Sequence, residues 1–145
     1  MKIYFFLAVL ILSIFFSCKK STEPNKLLGT WNSKTFRIKK TDINGIVVSD
    51  TTYIKTGSLT LNSDGAAISS ISPNDSIFYI SGNYNGKYRE RSYDNGVTQR
   101  LEIASDGISF YSMRIITIDD HNLLLENITP SDYINAKHYI YTFNK

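Results

Sequence analysis

The chain has 145 residues, 16 basic and 13 acidic side chains and a net charge of +3, and tyrosine, with ten residues, is the one excess in its composition. A chain of this length is expected to form one domain that buries a sufficient core without a metal or a disulfide. The charge surplus is too small to indicate a nucleic-acid-binding protein, which needs a concentrated basic face. Tyrosine fits pleated, half-buried surfaces, so its excess indicates strands.

The N-terminus has the pattern of an export signal. Lys2 is followed by an apolar run over residues 3–16, interrupted only by Ser13, and then by Ser17 and Cys18. A membrane-spanning helix needs about 20 apolar residues, and this run has only 14. A positive start, a short apolar core and a small residue before the cut predict a cleaved secretory signal.

The four residues Phe15-Phe16-Ser17-Cys18 resemble the lipobox of bacterial lipoprotein precursors. The resemblance implies cleavage before Cys18, a diacylglyceryl thioether on its sulfur, and acylation of the new amino group with a fatty acid such as palmitate. Cys18 is the only cysteine, so it has no partner for an internal disulfide, and lipidation accounts for it. In well-studied lipoproteins an Asp directly after the lipidated cysteine favours retention in the inner membrane. Here Cys18 is followed by Lys19, so we expect anchoring in the outer membrane of the cell envelope.

Three segments follow from this interpretation. Residues 1–17 are the signal peptide, residues 18–26 are a polar tether on the lipidated cysteine, and residues 27–145 are the folded domain. The tether contains no apolar side chain apart from Cys18 and a proline ring, which is typical of a solvated linker.

From residue 27 onward, short β-like segments alternate with turn signals. Asn44-Gly45, Asp64-Gly65, Asn95-Gly96 and Asp106-Gly107 favour tight hairpin turns, and residues 119–122 are a further turn candidate. The strands predicted around them cover residues 57–61, 66–71, 77–81, 88–93, 97–104, 108–118, 123–128 and 138–143. The best candidate for a helical turn is residues 130–136, which begin with Pro and Ser. The pattern predicts an all-β antiparallel fold of eight to ten strands, closed as a barrel or folded as a sandwich.

The segment Leu27-Leu28-Gly29-Thr30-Trp31 resembles the opening of a lipocalin-like domain, in which a Gly-x-Trp motif begins the first strand. The later segments SLTLNSDG, ISGNY and YIYTFNK resemble the corresponding parts of lipocalin-like lipoproteins of Gram-negative bacteria. The resemblance implies a small barrel whose closed end is plugged by Trp31, commonly beneath an Arg from a late strand. The last strand of this chain offers only Lys137 and Lys145 for that position.

Residue combinations that indicate catalysis are missing from the folded part of the sequence. Acylation would consume the only thiol, and His121 and His138 are far apart in the chain. Asp119, Asp120 and His121 are adjacent, but three neighbouring ligands in one turn rarely give good metal geometry, and a polar turn is the favoured interpretation. We therefore predict a protein that is not an enzyme, with no catalytic residues, no cofactor and no metal.

Residues 87–93 interleave basic and aromatic side chains, as platforms for single-stranded nucleic acid do. The same alternation suits an exposed strand with Arg89, Arg91 and Tyr93 on one face. Outside the cytoplasm a glycan or an anionic lipid is the more suitable partner for such a face, so we expect no nucleic acid.

Two functions remain open from the sequence. The favoured one is binding or carriage of a small apolar or amphipathic ligand inside the barrel, because barrels of about eight strands can hold one such molecule. The alternative is an envelope interaction module with a filled core, which contacts another protein or a glycan through its surface. A continuous apolar cavity would favour the first, and a packed core would favour the second. The sequence leaves the oligomeric state open.

Overall fold

The structure, a computed structural model, describes residues 25–72, 80–131 and 135–145. The predicted signal peptide and most of the predicted tether lie outside these residues, as do most of the strand expected at 77–81 and part of the helical turn expected at 130–136. The described strands are β1 (Gly29–Thr41), β2 (Val47–Ile54), β3 (Ser58–Leu61), β4 (Ala66–Ile71), β5 (Gly82–Tyr93), β6 (Thr98–Ala104), β7 (Tyr111–Ile118), β8 (Asn122–Ser131) and β9 (Asn135–Asn144).

The strands form one antiparallel sheet that closes on itself. Neighbours in the sheet follow the order β2-β1-β3-β4-β5-β6-β7-β8-β9, and β1 also pairs with β9. β3 covers the beginning of β1, from Gly29 to Asn32, and β2 covers the same edge of β1 from Thr35 to Thr41. Eight strands therefore form a closed barrel, and β2 extends beyond it. The antiparallel β-barrel predicted from the sequence is confirmed, and the sandwich alternative is excluded.

The predicted hairpin turns lie between the strands, and an Asp side chain stabilises most of them. Asp42 Oδ1 accepts hydrogen bonds from the backbone amides of Asn44 and Ile46, at 2.9 and 2.8 Å. The carboxylates of Asp64, Asp106 and Asp119 bind backbone amides two or three residues further along in the same way. An Asp side chain can take the place of a backbone acceptor at a turn, which explains why these sequence signals were informative.

A β-bulge in β1 turns its apolar side chains inward. Trp31 and Phe36 have opposite parity in a regular strand, yet both are fully buried. The register of β1 against β9 shifts between Ser33 and Thr35, which inserts one residue at this point. The bulge therefore allows both large rings, and Ile38 beyond them, to pack against the core.

Trp31 closes one end of the barrel together with both ends of the described chain. Its indole Nε1 donates a hydrogen bond to the Leu27 carbonyl oxygen at 2.8 Å. The Lys145 ammonium lies 4.3 Å from the centroid of the indole ring and donates to the Lys26 carbonyl oxygen at 3.0 Å. Lys145 thus occupies the place over the tryptophan where the lipocalin-like resemblance implies an Arg.

Two expectations about single elements need correction. The helical turn expected at residues 130–136 does not form at its ends, because β8 continues to Ser131 and β9 begins at Asn135. The strand expected at 88–93 is the second half of a longer strand, β5, which begins at Gly82, and residues 80 and 81, the described part of the strand expected at 77–81, are not in a strand. No helix that could span a membrane occurs among the residues that the structure describes.

Candidate functional site

The interior of the barrel is occupied by its own side chains. Fully buried residues from most of the strands form one apolar cluster that includes Trp31, Phe36, Leu59, Leu101 and Phe143. The most pronounced clefts among the described residues are open ones on the surface, lined by other residues than these. The described core is therefore packed, and the search for a site moves to the outer face.

Three arginines lie side by side on the outer face of β5, β6 and β7. Arg91 is directly opposite Arg100, Arg100 is directly opposite Arg114, and Arg114 is opposite Glu126 of β8. Like charges directly opposite each other destabilise a sheet, so this row opposes folding stability. Proteins often keep a locally destabilising arrangement where a functional site needs it, so the row of arginines is a candidate binding site.

Glu102 of β6 neutralises one end of the row. Its side chain is only 7% exposed; its Oε2 lies 2.5 Å from Arg89 Nε and 3.4 Å from Arg91 Nε. The Tyr93 hydroxyl donates to the other oxygen at 3.1 Å. Burial by itself raises the pKa of Glu102, but the hydrogen bonds from Arg89 and Tyr93 and the nearby positive charges outweigh it and hold the pKa below its ordinary value. Glu102 is therefore a carboxylate at neutral pH.

Glu126 of β8 neutralises the other end. Its two oxygens contact Arg114 Nη2 at 2.5 Å and His138 Nδ1 at 2.9 Å, and its side chain is 11% exposed. Burial raises the pKa of Glu126, and the hydrogen bonds from His138 and Arg114 reverse this effect, so that the pKa lies below its ordinary value. His138, expected at the beginning of the last strand, lies within β9 and is part of this network.

Arg100, in the middle of the row, has no carboxylate partner among the described residues. Its Nη1 donates a weak hydrogen bond to Ser112 Oγ at 3.3 Å, and its guanidinium carbon lies 5.3 Å from the centroid of the Tyr93 ring. Both contacts leave donor groups of the guanidinium available. Arg100 is thus the arginine of this row whose charge no carboxylate of the described residues neutralises.

An open cleft of about 590 Å³ surrounds Arg100. Arg114 and the two glutamates contribute to its walls, and Thr98, Ser112 and Tyr93 add hydroxyl groups and an aromatic ring. Asp94 lies at one end, where its carboxylate accepts a hydrogen bond from the Thr98 hydroxyl at 3.4 Å. The cleft therefore combines a guanidinium, hydrogen-bond acceptors and an aromatic surface within the volume of a small ligand.

The sequence identified part of this site. Arg89, Arg91 and Tyr93 share the outer face of β5, as the alternation predicted, and Tyr93 contributes directly to the cleft. Arg89 is engaged by Glu102 and by the Phe110 ring, whose centroid is 3.9 Å from its guanidinium carbon. Arg100 and Arg114 were missed, although their outward positions follow from the alternation in β6 and β7. Only the strand register shows that they lie side by side.

The remaining candidates lie elsewhere or outside the described residues. Asp119 and His121 belong to the β7–β8 turn, where backbone amides of His121 and Asn122 donate to Asp119 and lower its pKa. Among the described residues no three His, Cys, Asp or Glu side chains are grouped so as to hold a metal ion. Cys18 is not among the described residues, whereas Gly29 and Trp31 lie at the closed end, away from the cleft.

Fold and site together define a small antiparallel β-barrel with a packed interior and a charged, aromatic cleft on its outer face. No family model matches the chain, and no curated protein or solved structure is significantly similar to it.

Proposed function

We propose that this protein is a non-catalytic binding module, lipid-anchored through Cys18 in the outer membrane of the cell envelope, which binds an anionic glycan in the cleft around Arg100. The observation that supports this proposal is the charge of Arg100, which lies between Arg91 and Arg114 without a carboxylate partner among the described residues. A carboxylate or phosphate of a ligand would neutralise it through paired hydrogen bonds, which a guanidinium makes well.

The rest of the cleft suits a sugar better than a simple ion. Hydroxyl groups of a glycan need both donors and acceptors, and Ser112, Thr98 and the carboxylate of Asp94 supply them. Tyr93 is 39% exposed and offers a flat surface for the face of a sugar ring. Binding to an anionic bilayer surface needs only an open basic patch. A concave site with hydroxyl groups and an aromatic ring therefore suits a glycan better than a bilayer.

Carriage of an apolar ligand inside the barrel has less support. That function needs a continuous apolar cavity, whereas Trp31, Leu59, Leu101 and Phe143 are fully buried and belong to one cluster. The packed core favours the surface-binding alternative.

A hydrolytic function that used the two buried glutamates would need one of them to act as a general acid. An acid that works near neutral pH has a raised pKa, as a result of burial without compensating charges. The pKa values of Glu102 and Glu126 are both lowered. This supports a binding role for the cleft instead of catalysis.

The proposal is tested by calorimetric titration with tetragalacturonate and with the neutral tetramer of galactose. We expect the acidic oligosaccharide to bind and the neutral one to bind much more weakly. Arg100→Gln should weaken the binding of the acidic oligosaccharide by at least about tenfold, since a charged hydrogen bond contributes about 1.5–3 kcal/mol. Arg37→Gln is the matched control, because Arg37 is an outward arginine of β1 paired with Asp50, outside the cleft.

If Arg100→Gln and Arg37→Gln weakened oligosaccharide binding equally, the effect would be one of overall charge, which would contradict the proposed site. Binding to vesicles that contain phosphatidylglycerol, without binding to the oligosaccharide, would contradict the glycan as the ligand.

A further inference from the structure

One edge of β2 pairs with no other strand that the structure describes. β2 pairs with β1 along one side, and no other strand among the described residues covers its other side. All eight residues of β2 are exposed. Barrel closure gives the other described strands neighbours on both sides, so β2 is the one strand with an open edge in the part of the chain that the structure describes.

The sequence of β2 lacks most of the features that protect an open edge, and its one bulge, at Val48, lies at the beginning of the strand. Natural edge strands are usually blocked by Lys, Pro, a bulge within the strand or a covering segment. β2 reads Val-Val-Ser-Asp-Thr-Thr-Tyr-Ile, with no Lys, Arg, Pro or Gly. Its one charge, Asp50, is held by Arg37 of β1, whose Nε donates to Asp50 Oδ1 at 2.7 Å. The strand is therefore well suited to pair with another strand.

The backbone of β2 presents hydrogen-bonding groups to this open edge. The Lys55 amide donates to the Lys34 carbonyl oxygen of β1 at 3.0 Å. In an antiparallel strand the direction of these groups alternates, so Thr51 and Ser49 also point toward β1. Asp50, Thr52 and Ile54 consequently direct their amide and carbonyl groups away from β1.

The side chains of β2 indicate in which register two copies of the strand can pair. In a symmetric pair of antiparallel strands, one residue lies directly opposite its own copy, and the twofold axis passes midway between the two. An axis at Asp50 would place two carboxylates opposite each other, which is destabilising. An axis at Thr51 places Asp50 opposite Thr52 and Ser49 opposite Tyr53 of the partner subunit. This register is self-complementary, because the acid meets a hydroxyl and no like charges face each other.

We propose that β2 is a dimerisation strand, which pairs antiparallel with β2 of a second copy of this chain, with Thr51 on the twofold axis. The two barrels then share one continuous sheet, and the open edge of each is removed. A pair of strands that each contribute residues 49–54 forms a small interface, so the dimer belongs to the weak, transient class. Covalent trapping is therefore a more suitable test than an equilibrium measurement.

The experiment is oxidative cross-linking in cells that express the full chain with Thr51→Cys. Residues opposite each other at a pair that does not exchange hydrogen bonds have Cα atoms about 4.5 Å apart, within the range for a disulfide. We expect a cross-linked dimer for Thr51→Cys. Ser49→Cys is the matched control on the same face, and it should give roughly tenfold less dimer because its own copy would lie about 13 Å away. The unsubstituted chain measures the background from Cys18.

A second variant tests the backbone pairing itself. Adding Thr52→Pro to Thr51→Cys removes an outward amide and leaves the bonds to β1 in place, as a proline tolerated on an edge strand does. We expect cross-linking to fall to background, while Thr52→Val, which keeps the amide, should retain it. An unchanged thermal melt shows that the proline variant is folded. Equal cross-linking of Thr51→Cys and Ser49→Cys, or no dimer from Thr51→Cys, would overturn the proposal.

Discussion

Trp31 shows at the scale of one residue how the closed end of the barrel is stabilised. Its side chain is fully buried, its Nε1 has a carbonyl acceptor, and the Lys145 ammonium covers its ring. A tryptophan needs a partner for its N–H when it is buried, and the Leu27 carbonyl provides one. The aromatic ring and the cation attract each other as well, at about 0.5–1 kcal/mol for an exposed cation.

We predict that Trp31→Ala lowers the free energy of unfolding by about 3–5 kcal/mol, the usual cost of removing a large aromatic side chain from a core. Urea denaturation of residues 25–145 measures the loss. Val97→Ala is the control, because Val97 is 84% exposed and its truncation should change stability by less than about 0.5 kcal/mol. A midpoint that Trp31→Ala leaves unchanged would contradict the burial of this residue.

Glu126 makes a pH-dependent contribution to stability. Its folded-state pKa lies below the ordinary value of 4.5, so the folded protein binds its proton less readily than the unfolded chain does. The contribution is fully present above pH 4.5 and is lost as the pH falls through the lowered, folded-state pKa.

We therefore predict that the urea midpoint falls on acidification below about pH 5, and that Glu126→Gln reduces this fall. Denaturation curves between pH 3 and 7 provide the measurement. Glu90→Gln changes an exposed glutamate of β5 and should leave the pH dependence as in the wild type. If the two variants behave alike, the network of Glu126, Arg114 and His138 has no role in acid stability.

At the scale of the element, Gly86 explains how β5 serves two neighbours. β5 pairs with β4 from Gly82 to Lys87, and with β6 from Lys87 to Tyr93. Where the change occurs, a Cβ on Gly86 would collide with the carbonyl oxygen of Ala104 at the end of β6. The close approach of the two backbones requires a residue without a side chain.

We predict that Gly86→Ala destabilises the protein by about 3 kcal/mol, the upper part of the range for overpacking, because backbone atoms cannot move aside as a side chain can. Gly107→Ala is the comparison. Gly107 has a φ of +74° and open space around its Cβ position, so alanine there should cost only about 1–2 kcal/mol of backbone strain. Thermal denaturation ranks the two, and an equal or smaller loss for Gly86→Ala would show that β5 and β6 are not packed this closely.

The elements also show where local signals failed. Pro130 and Ser131 indicate a helix start, but Pro130 pairs with Ala136 and Ser131 pairs with Asn135 in the sheet. Pairing with a neighbouring strand here outweighs local helix preference, because a helix of one turn has little stability of its own. The prediction for β5 covered only residues 88–93, although the strand begins at Gly82 and pairs with β4 from there to Lys87.

At the scale of the whole molecule, the lipid anchor remains a prediction from Phe15-Phe16-Ser17-Cys18. We expect the protein to incorporate labelled palmitate and to partition into the detergent phase, and Cys18→Ser to abolish both. Two or more acyl chains hold a protein on a bilayer with negligible release, since each buried methylene contributes about 0.8 kcal/mol. Ser17→Ala is a suitable control, because it keeps a small residue before the cysteine. Labelling that persists in Cys18→Ser would contradict the anchor.

The sequence by itself determined the class of fold and the positions of the turns. Hairpin turns depend on residues next to each other, such as Asp106 and Gly107, and alternation shows which side chains share a face. Barrel closure and the cleft depended on tertiary structure. Arg91, Arg100 and Arg114 are brought together only by the register of three strands, and register depends on pairing across the whole sheet. The packed core likewise follows from how side chains of distant strands fill one volume, which no local pattern specifies.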